Sequence, residues 1–199
     1  IVDEVFCTIT PPGREVPRPA ALIPDLLVFT INGASKLFAS PGLKVSWIVL
    51  TGPPDVRNEA LEELQIQNDL FLSASPLTQH LVATLFRRGW GFVETVAQEI
   101  DARRRTALEG IRSLDGVQAP SDVAGIHLPL RFAPDMLPGR MDDEELAIRL
   151  LEHHRLALHP GYLYGFDDLT LIMSYLAPAA RIQSGLGRLD ACIRTLRAM

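Results

Sequence analysis

Lysine is nearly absent from this chain. Of 19 basic residues only Lys36 and Lys44 are lysines, and the rest are arginines. An arginine guanidinium keeps its charge, whereas an ammonium can lose its proton in a suitable site and become a nucleophile. A lysine retained among arginines is therefore a candidate nucleophilic amine. Cysteine is as scarce. Cys7 and Cys192 make no disulfide framework, and no C-x-x-C or Cys/His spacing offers a metal site. That usage predicts a reducing, cytoplasmic setting. No apolar run is long enough to span a membrane, so no membrane partner is expected. Excess basic charge is also missing. A net charge of −5 and a pI near 5.5 argue against a general nucleic-acid binder. The run Arg103-Arg104-Arg105 lies among Glu99, Asp101 and Glu109 and reads as a solvated helix face. His153, His154 and His159 lack a supporting acid or cysteine at ligand spacing and are not read as a metal site.

What is present is ordinary for a soluble globular protein, with 47% hydrophobic and 22% charged residues. The 199 residues suffice for one large domain or two small ones. Strands are predicted over 1–9, 26–31 and 45–50, where β-branched and apolar residues concentrate. The proline-rich stretch "TPPGREVPRPAALIP" reads as a loop that no helix survives. Helices are predicted from Pro54 to about Asn68, from Pro76 to about Arg88 and from Trp90 to Leu114, where Asp115-Gly116 stops the pattern. The remainder alternates: a strand over 124–132, an amphipathic helix in "MDDEELAIRLLEHHR", a strand and turn in "LALHPGYLYGF", a strand in "LTLIMSYL" and a closing helix. Gly185 and Gly187 fall inside that last helical pattern, which argues against a phosphate loop. Trp47 and Trp90 read as core, and Tyr162 and Tyr164 as packing residues. The boundary between a strand-rich first part and an α+β second part is expected near residue 88. A chain that opens on "IVDEVF" starts within a strand pattern, which predicts the C-terminal part of something longer.

Two strings carry a resemblance. "IVDEVF", followed some thirty residues later by "NGASKLFASPGLK", resembles the class I/II aminotransferases, fold type I enzymes that use pyridoxal 5'-phosphate (PLP). Their usual strings look like "I-x-D-E-V-Y" and "S-G-L-S-K-x-x-x-x-P-G-x-R-x-G-W". "HPGYLYGF…LTLIMSYLAP" looks like the end of the same proteins. The resemblance covers essentially the whole chain and the C-terminal half of the family's usual length. It implies an α/β fold, with residues 1–88 closing a PLP-binding large domain and 89–199 forming a small α+β domain.

It also implies site roles. Lys36 would be the Schiff-base lysine and would move the proton at the substrate Cα. Asp3 would pair with the cofactor's pyridine nitrogen and keep it protonated. Lys44 stands where the family usually has an arginine for the cofactor phosphate, and it keeps the charge without the bidentate fork. Asn32 and Ser35 flank Lys36 where hydroxyl or amide groups lie near that phosphate. Phe6 replaces a tyrosine, which removes a hydroxyl donor to the cofactor's 3′ oxygen. Ser46 replaces a commoner glycine. Ile172 falls where an arginine for the substrate carboxylate is expected.

The implied reaction is amino-group transfer between an amino acid and a 2-oxo acid, in a parent that is a homodimer. Two alternatives stand beside it. One is another PLP enzyme on the same scaffold, such as a lyase or decarboxylase. The other is a non-catalytic fragment that needs a partner chain.

Overall fold

The computed structural model describes residues 1–133, 136–137 and 141–198. It divides into two units, Ile1–Gln98 and a second from Glu99 onward.

The first unit is built on a three-stranded sheet. β1 (Val2–Asp3) runs parallel to β2 (Val28–Gly33), with Val2 opposite Thr30 and Asp3 opposite Ile31. β3 (Ser46–Thr51) runs antiparallel on the other side of β2, with Val28 opposite Thr51 and Gly33 opposite Ser46. The carboxyl ends of β1 and β2 and the amino end of β3 thus share one end of the sheet. The connection at that end contains α2 (Ala34–Leu37), a single helical turn. α1 (Pro19–Leu22) precedes β2, α3 (Pro54–Asp69) and α4 (Pro76–Arg88) follow the sheet, and α5 (Trp90–Arg112) begins in this unit and continues as the start of the second. Proline opens α1, α3 and α4, where its missing N–H has no partner to lose.

The core of this unit forms around α2. Ala34, Leu37, Phe38, Val82 and Val93 are buried together, and Leu43, Val45, Trp47 and Leu85 pack against them. Phe38 is 1% exposed and meets Phe86 edge-on at 5.3 Å between centroids. Gly89 is required by that packing. A Cβ there would lie 2.7 Å from the Leu85 carbonyl oxygen and 3.2 Å from the Phe38 ring.

The second unit holds a four-stranded antiparallel sheet. β4 (Val117–Gln118), β5 (His127–Phe132), β6 (His159–Pro160) and β7 (Thr170–Ser174) lie in the order β4-β5-β7-β6. α6 (Asp143–His154) is capped by Asp142, whose carboxylate accepts from the Glu145 N–H at 2.8 Å. α7 (Ala179–Arg197) buries Ile182, Leu186, Leu189, Ile193 and Leu196, a spacing of three and four that draws one apolar stripe. Leu128, Leu130, Leu146, Leu150 and Leu171 are fully buried in the same unit.

Several expectations are corrected. The strand expected over 1–9 ends at Asp3, because the Asp3 carboxylate accepts from the Val5 N–H at 2.9 Å and folds the chain into turns. The Cys7 and Ile9 amides then donate to the Glu4 and Phe6 carbonyls. The proline-rich loop does hold one helical turn, α1, since Pro19 occupies its first position. The strand expected from 124 begins at His127, after Gly125 turns at φ 84°. The arginine run is not merely solvated. Asp101 is 4% exposed and receives Arg104 Nη2 at 2.6 Å and Arg105 Nη1, a buried carboxylate answered by two cations. Trp90 touches the Phe38 and Phe86 rings yet remains exposed, as do Tyr162 and Tyr164.

Candidate functional site

The residues singled out in the first unit converge on one end of its sheet. Asp3 ends β1, Phe6 follows it in the turn, Asn32 lies near the end of β2, Ser35 and Lys36 sit on α2, and Lys44 lies two residues before β3. This is the end at which parallel strands of α/β proteins characteristically present ligand-binding groups.

Core packing sets the direction of Lys36. Ala34, Leu37 and Phe38 are buried, so the helical turn leaves Lys36 exposed with Ser35 half-buried beside it. Among the described residues no ion pair engages Lys36 or Lys44. The Lys36 Nζ instead stands 5.9 Å from the centroid of the Phe6 ring, within cation–π range. Phe6 is half-buried and has no polar atom to offer there.

Asn32 fastens the turn to the sheet. Its Nδ2 donates to the Glu4 carbonyl at 3.1 Å and approaches the Cys7 Sγ at 3.5 Å, while its Oδ1 accepts from the Gly33 N–H at 2.7 Å. The amide is therefore committed within the chain, and it braces the segment that carries Phe6 through the Glu4 carbonyl on one side and the Cys7 sulfur on the other. Glu4 and Cys7 meet a further residue that sequence reasoning passed over. Arg18 Nη1 donates to Glu4 Oε2 at 2.5 Å. The neighbouring Cys7 thiol, more than Glu4, holds the Arg18 guanidinium above its usual range, with burial opposing. No sequence spacing announces this contact, because a proline-rich loop of undefined path separates Arg18 from the strand.

Lys44 is exposed and adopts φ 52°, a left-handed conformation uncommon outside glycine. The backbone around it is pinned by the Leu43 N–H to the Ser40 carbonyl at 3.1 Å and the Ala34 N–H to the Val45 carbonyl at 2.9 Å. Asp3 is exposed at the strand end, one carboxylate oxygen taken by the Val5 N–H. In the second unit Ile172 is 4% exposed on β7, so no cation occupies that position.

The arrangement offers, at one end of the sheet, an exposed primary amine, a strand-end carboxylate, a second exposed amine on a turn and a half-buried hydroxyl.

Comparison with known proteins leads to the same place. The family model described as Aminotransferase class I and II matches residues 1–182. Capreomycidine synthase from Streptomyces vinaceus is 27% identical over 164 residues, covering 82% of this chain and 39% of that protein. Glutamate-pyruvate aminotransferase from Escherichia coli is 25% identical over 169 residues, covering 82% and 41%. Among solved structures, an Escherichia coli aminotransferase superposes with a TM-score of 0.85 at 22% identity, covering 96% of this chain and 48% of that one. LysN, the alpha-aminoadipate aminotransferase of Thermus thermophilus complexed with N-(5'-phosphopyridoxyl)-L-leucine, superposes at 0.76 with 23% identity, covering 98% and 50%. These superpositions establish the fold, an α/β portion of fold type I. The chain spans about two fifths of the length of the curated relatives it matches. With the model matched over nearly all its length, the chain belongs to the class I and II aminotransferase family, whose cofactor is pyridoxal phosphate.

Proposed function

We propose that this chain carries the lysine-bearing part of a PLP-dependent aminotransferase that moves an amino group between an amino acid and a 2-oxo acid. In this reading residues 1–88 close the PLP-binding domain and the residues from 89 form the small domain. The observation that supports it most is the exposed Lys36 amine, which no ion pair engages among the described residues, set on a core-anchored turn at the same sheet end as Asp3. The donor set fits the cofactor. Lys36 would hold it covalently, Asp3 would accept from its ring nitrogen, and Lys44, with Ser35 nearby, would face its phosphate. Asn32 would act indirectly, by fixing the turn. When bound, the cofactor supplies an aldehyde carbon and a ring that absorbs the electron pair left at the substrate Cα. Lys36, once released, would carry the proton to and from that carbon, with the Phe6 face beside its ammonium form. The acting protein would be a homodimer, as the family resemblance implies.

A second reading has one observation in its favour. Capreomycidine synthase, a matched relative, is not named for amino transfer. The scaffold does not choose the reaction, so another PLP reaction is the rival. Amino-group exchange separates the two. The chain, co-expressed with the N-terminal half of a relative and loaded with PLP, is given single L-amino acids. The proposal expects pyridoxamine phosphate to form and a 2-oxo acid to reverse it. Consumption of an amino acid with the cofactor left as the aldehyde supports the rival.

A further inference from the structure

The two halves of the Lys36–Phe6 contact are held in different ways. Lys36 rides on α2, whose Ala34 and Leu37 are buried in the core. Phe6 has no such anchor. None of the residues from Glu4 to Ile9 is buried, so packing alone does not fix the turn that carries the ring. Polar contacts fix it. The Glu4 N–H donates to the Ile31 carbonyl at 2.9 Å and the Cys7 N–H to the Glu4 carbonyl at 3.0 Å. Asn32 braces the turn from the sheet side, at the Glu4 carbonyl and the Cys7 sulfur.

Arg18 holds the same two residues by their side chains. Its Nη1 donates to Glu4 Oε2 at 2.5 Å, and the Cys7 thiol faces the same guanidinium. An exposed ion pair ordinarily contributes little, because two long side chains give up rotamer freedom to meet in water. This pair differs on both sides. The Glu4 side chain is 13% exposed, so its carboxylate has lost much of its water and needs a partner. Arg18 is set before it pairs. It stands between Pro17 and Pro19, and the residue before a proline is confined to extended backbone, here φ −92° and ψ 121°. Its carbonyl accepts from the Ala21 and Leu22 amides at 2.9 and 3.2 Å, which ties it to α1. The proline-rich loop thus presents this guanidinium from a fixed backbone.

The turn reaches two groups of the site. Phe6 lies in its middle, with the ring centroid 5.9 Å from the Lys36 Nζ. The Val5 N–H, also in the turn, donates to the Asp3 carboxylate at 2.9 Å. A shift of the turn would move the face beside Lys36 and the donor on Asp3 together.

We propose that Arg18 is a positioning residue of the lysine site: through Glu4 and Cys7 it holds the turn that sets Phe6 against the Lys36 amine and Val5 against the Asp3 carboxylate. Its bearing on PLP attachment rests on the function proposed above; its bearing on Lys36 does not. Arg18 acts through the turn and is not a catalytic residue.

The scarcity of lysine makes the test clean. In the 199-residue chain grown with lysine labelled with carbon-13 at Cε, Lys36 and Lys44 each give one NMR signal. The Phe6 ring current displaces the Lys36 signal, and Phe6→Leu identifies it and gives the size of the displacement. Arg18→Gln should remove at least half of that displacement, with the Lys44 signal and the helix content unchanged. Millimolar guanidinium should restore it, and sodium chloride at the same concentration should not. Arg197→Gln, which breaks the ion pair with Asp115, should leave it as it is. After treatment with PLP and borohydride, Arg18→Gln should also lower the excess of label on Lys36 over Lys44 at least threefold. A Lys36 signal unmoved by Arg18→Gln, the same movement in Arg197→Gln, or a moved signal with an unchanged labelling ratio would each overturn the proposal. The NMR arm involves no cofactor, so its failure counts against Arg18, whereas a wild-type chain that takes no label at Lys36 counts against the function proposed above.

Discussion

At the residue scale, the chain treats its two lysines differently from its arginines. Its recorded arginine side chains largely meet carboxylates or carbonyls: Arg18 with Glu4, Arg104 with Asp101, Arg197 with Asp115. Lys36 meets an aromatic face instead. The position of Lys36 was legible in its spacing from "IVDEVF" and Lys44, but the Phe6 contact was not. Asn32 illustrates the limit: sequence gives an amide near the lysine, and only the fold shows that amide spent on Glu4, Cys7 and Gly33. Asn32→Ala should cost about 0.5–1.5 kcal/mol, the usual net worth of a part-buried hydrogen bond, measured by urea denaturation. An unchanged midpoint would remove Asn32 from its bracing role. His127 makes a pH prediction. Its folded pKa is lowered, first by burial and then by His159. Below the ordinary value of about 6.5 the unfolded chain therefore binds a proton that the folded chain refuses. Stability contributed by this group should be flat above that value and fall as pH drops from it toward the folded pKa. An NMR titration checks this: His127 should titrate below the ordinary histidine value, and His159→Gln should raise it only in part, since burial remains.

At the scale of elements, the register of the lysine-bearing turn is set by hydrophobic anchoring on both sides. Leu37 and Phe38 lock one end, and the Ala34–Val45 backbone bond closes the other. Phe38→Ala should destabilise the chain by about 3–5 kcal/mol, as for large core truncations, and should also lower PLP affinity by loosening α2. Thermal melting and a cofactor titration measure the two effects; loss of stability with unaltered PLP affinity would show that α2 is positioned by something else. The helices were legible because proline starts and apolar periodicity are local signals. β1 was overestimated because one side chain, Asp3, competes for the Val5 amide, and apolar composition does not reveal such competition. The pairing of Asp101 with Arg104 and Arg105 escaped for a similar reason: spacing shows that charges can meet, not that they are buried.

At the scale of the whole molecule, the chain exposes apolar surface that its composition does not predict. Ile48 and Val49 are exposed on β3, an edge of the sheet, and Phe71 and Leu72 lie bare after α3. Such an edge is a template for further strand pairing. Ile48→Glu should therefore reduce light scattering of the 199-residue chain on warming, with little change in helix content; unaltered scattering would locate the association elsewhere. The same chain alone is expected to bind PLP weakly and to show no amino transfer, with activity appearing when the N-terminal half of a relative is supplied. Full turnover by the chain alone would contradict that. The central claim is that Lys36 is the residue to which the cofactor attaches, and the near-absence of lysine makes it directly measurable. The chain is incubated with excess PLP, reduced with borohydride and mapped by peptide mass spectrometry. Lys36 and Lys44 are the lysines available, both exposed, so accessibility alone would label them alike. The predicted result is a phosphopyridoxyl group on Lys36 in clear excess over Lys44 and the α-amino group. Equal labelling, or a preference for Lys44, would contradict the account.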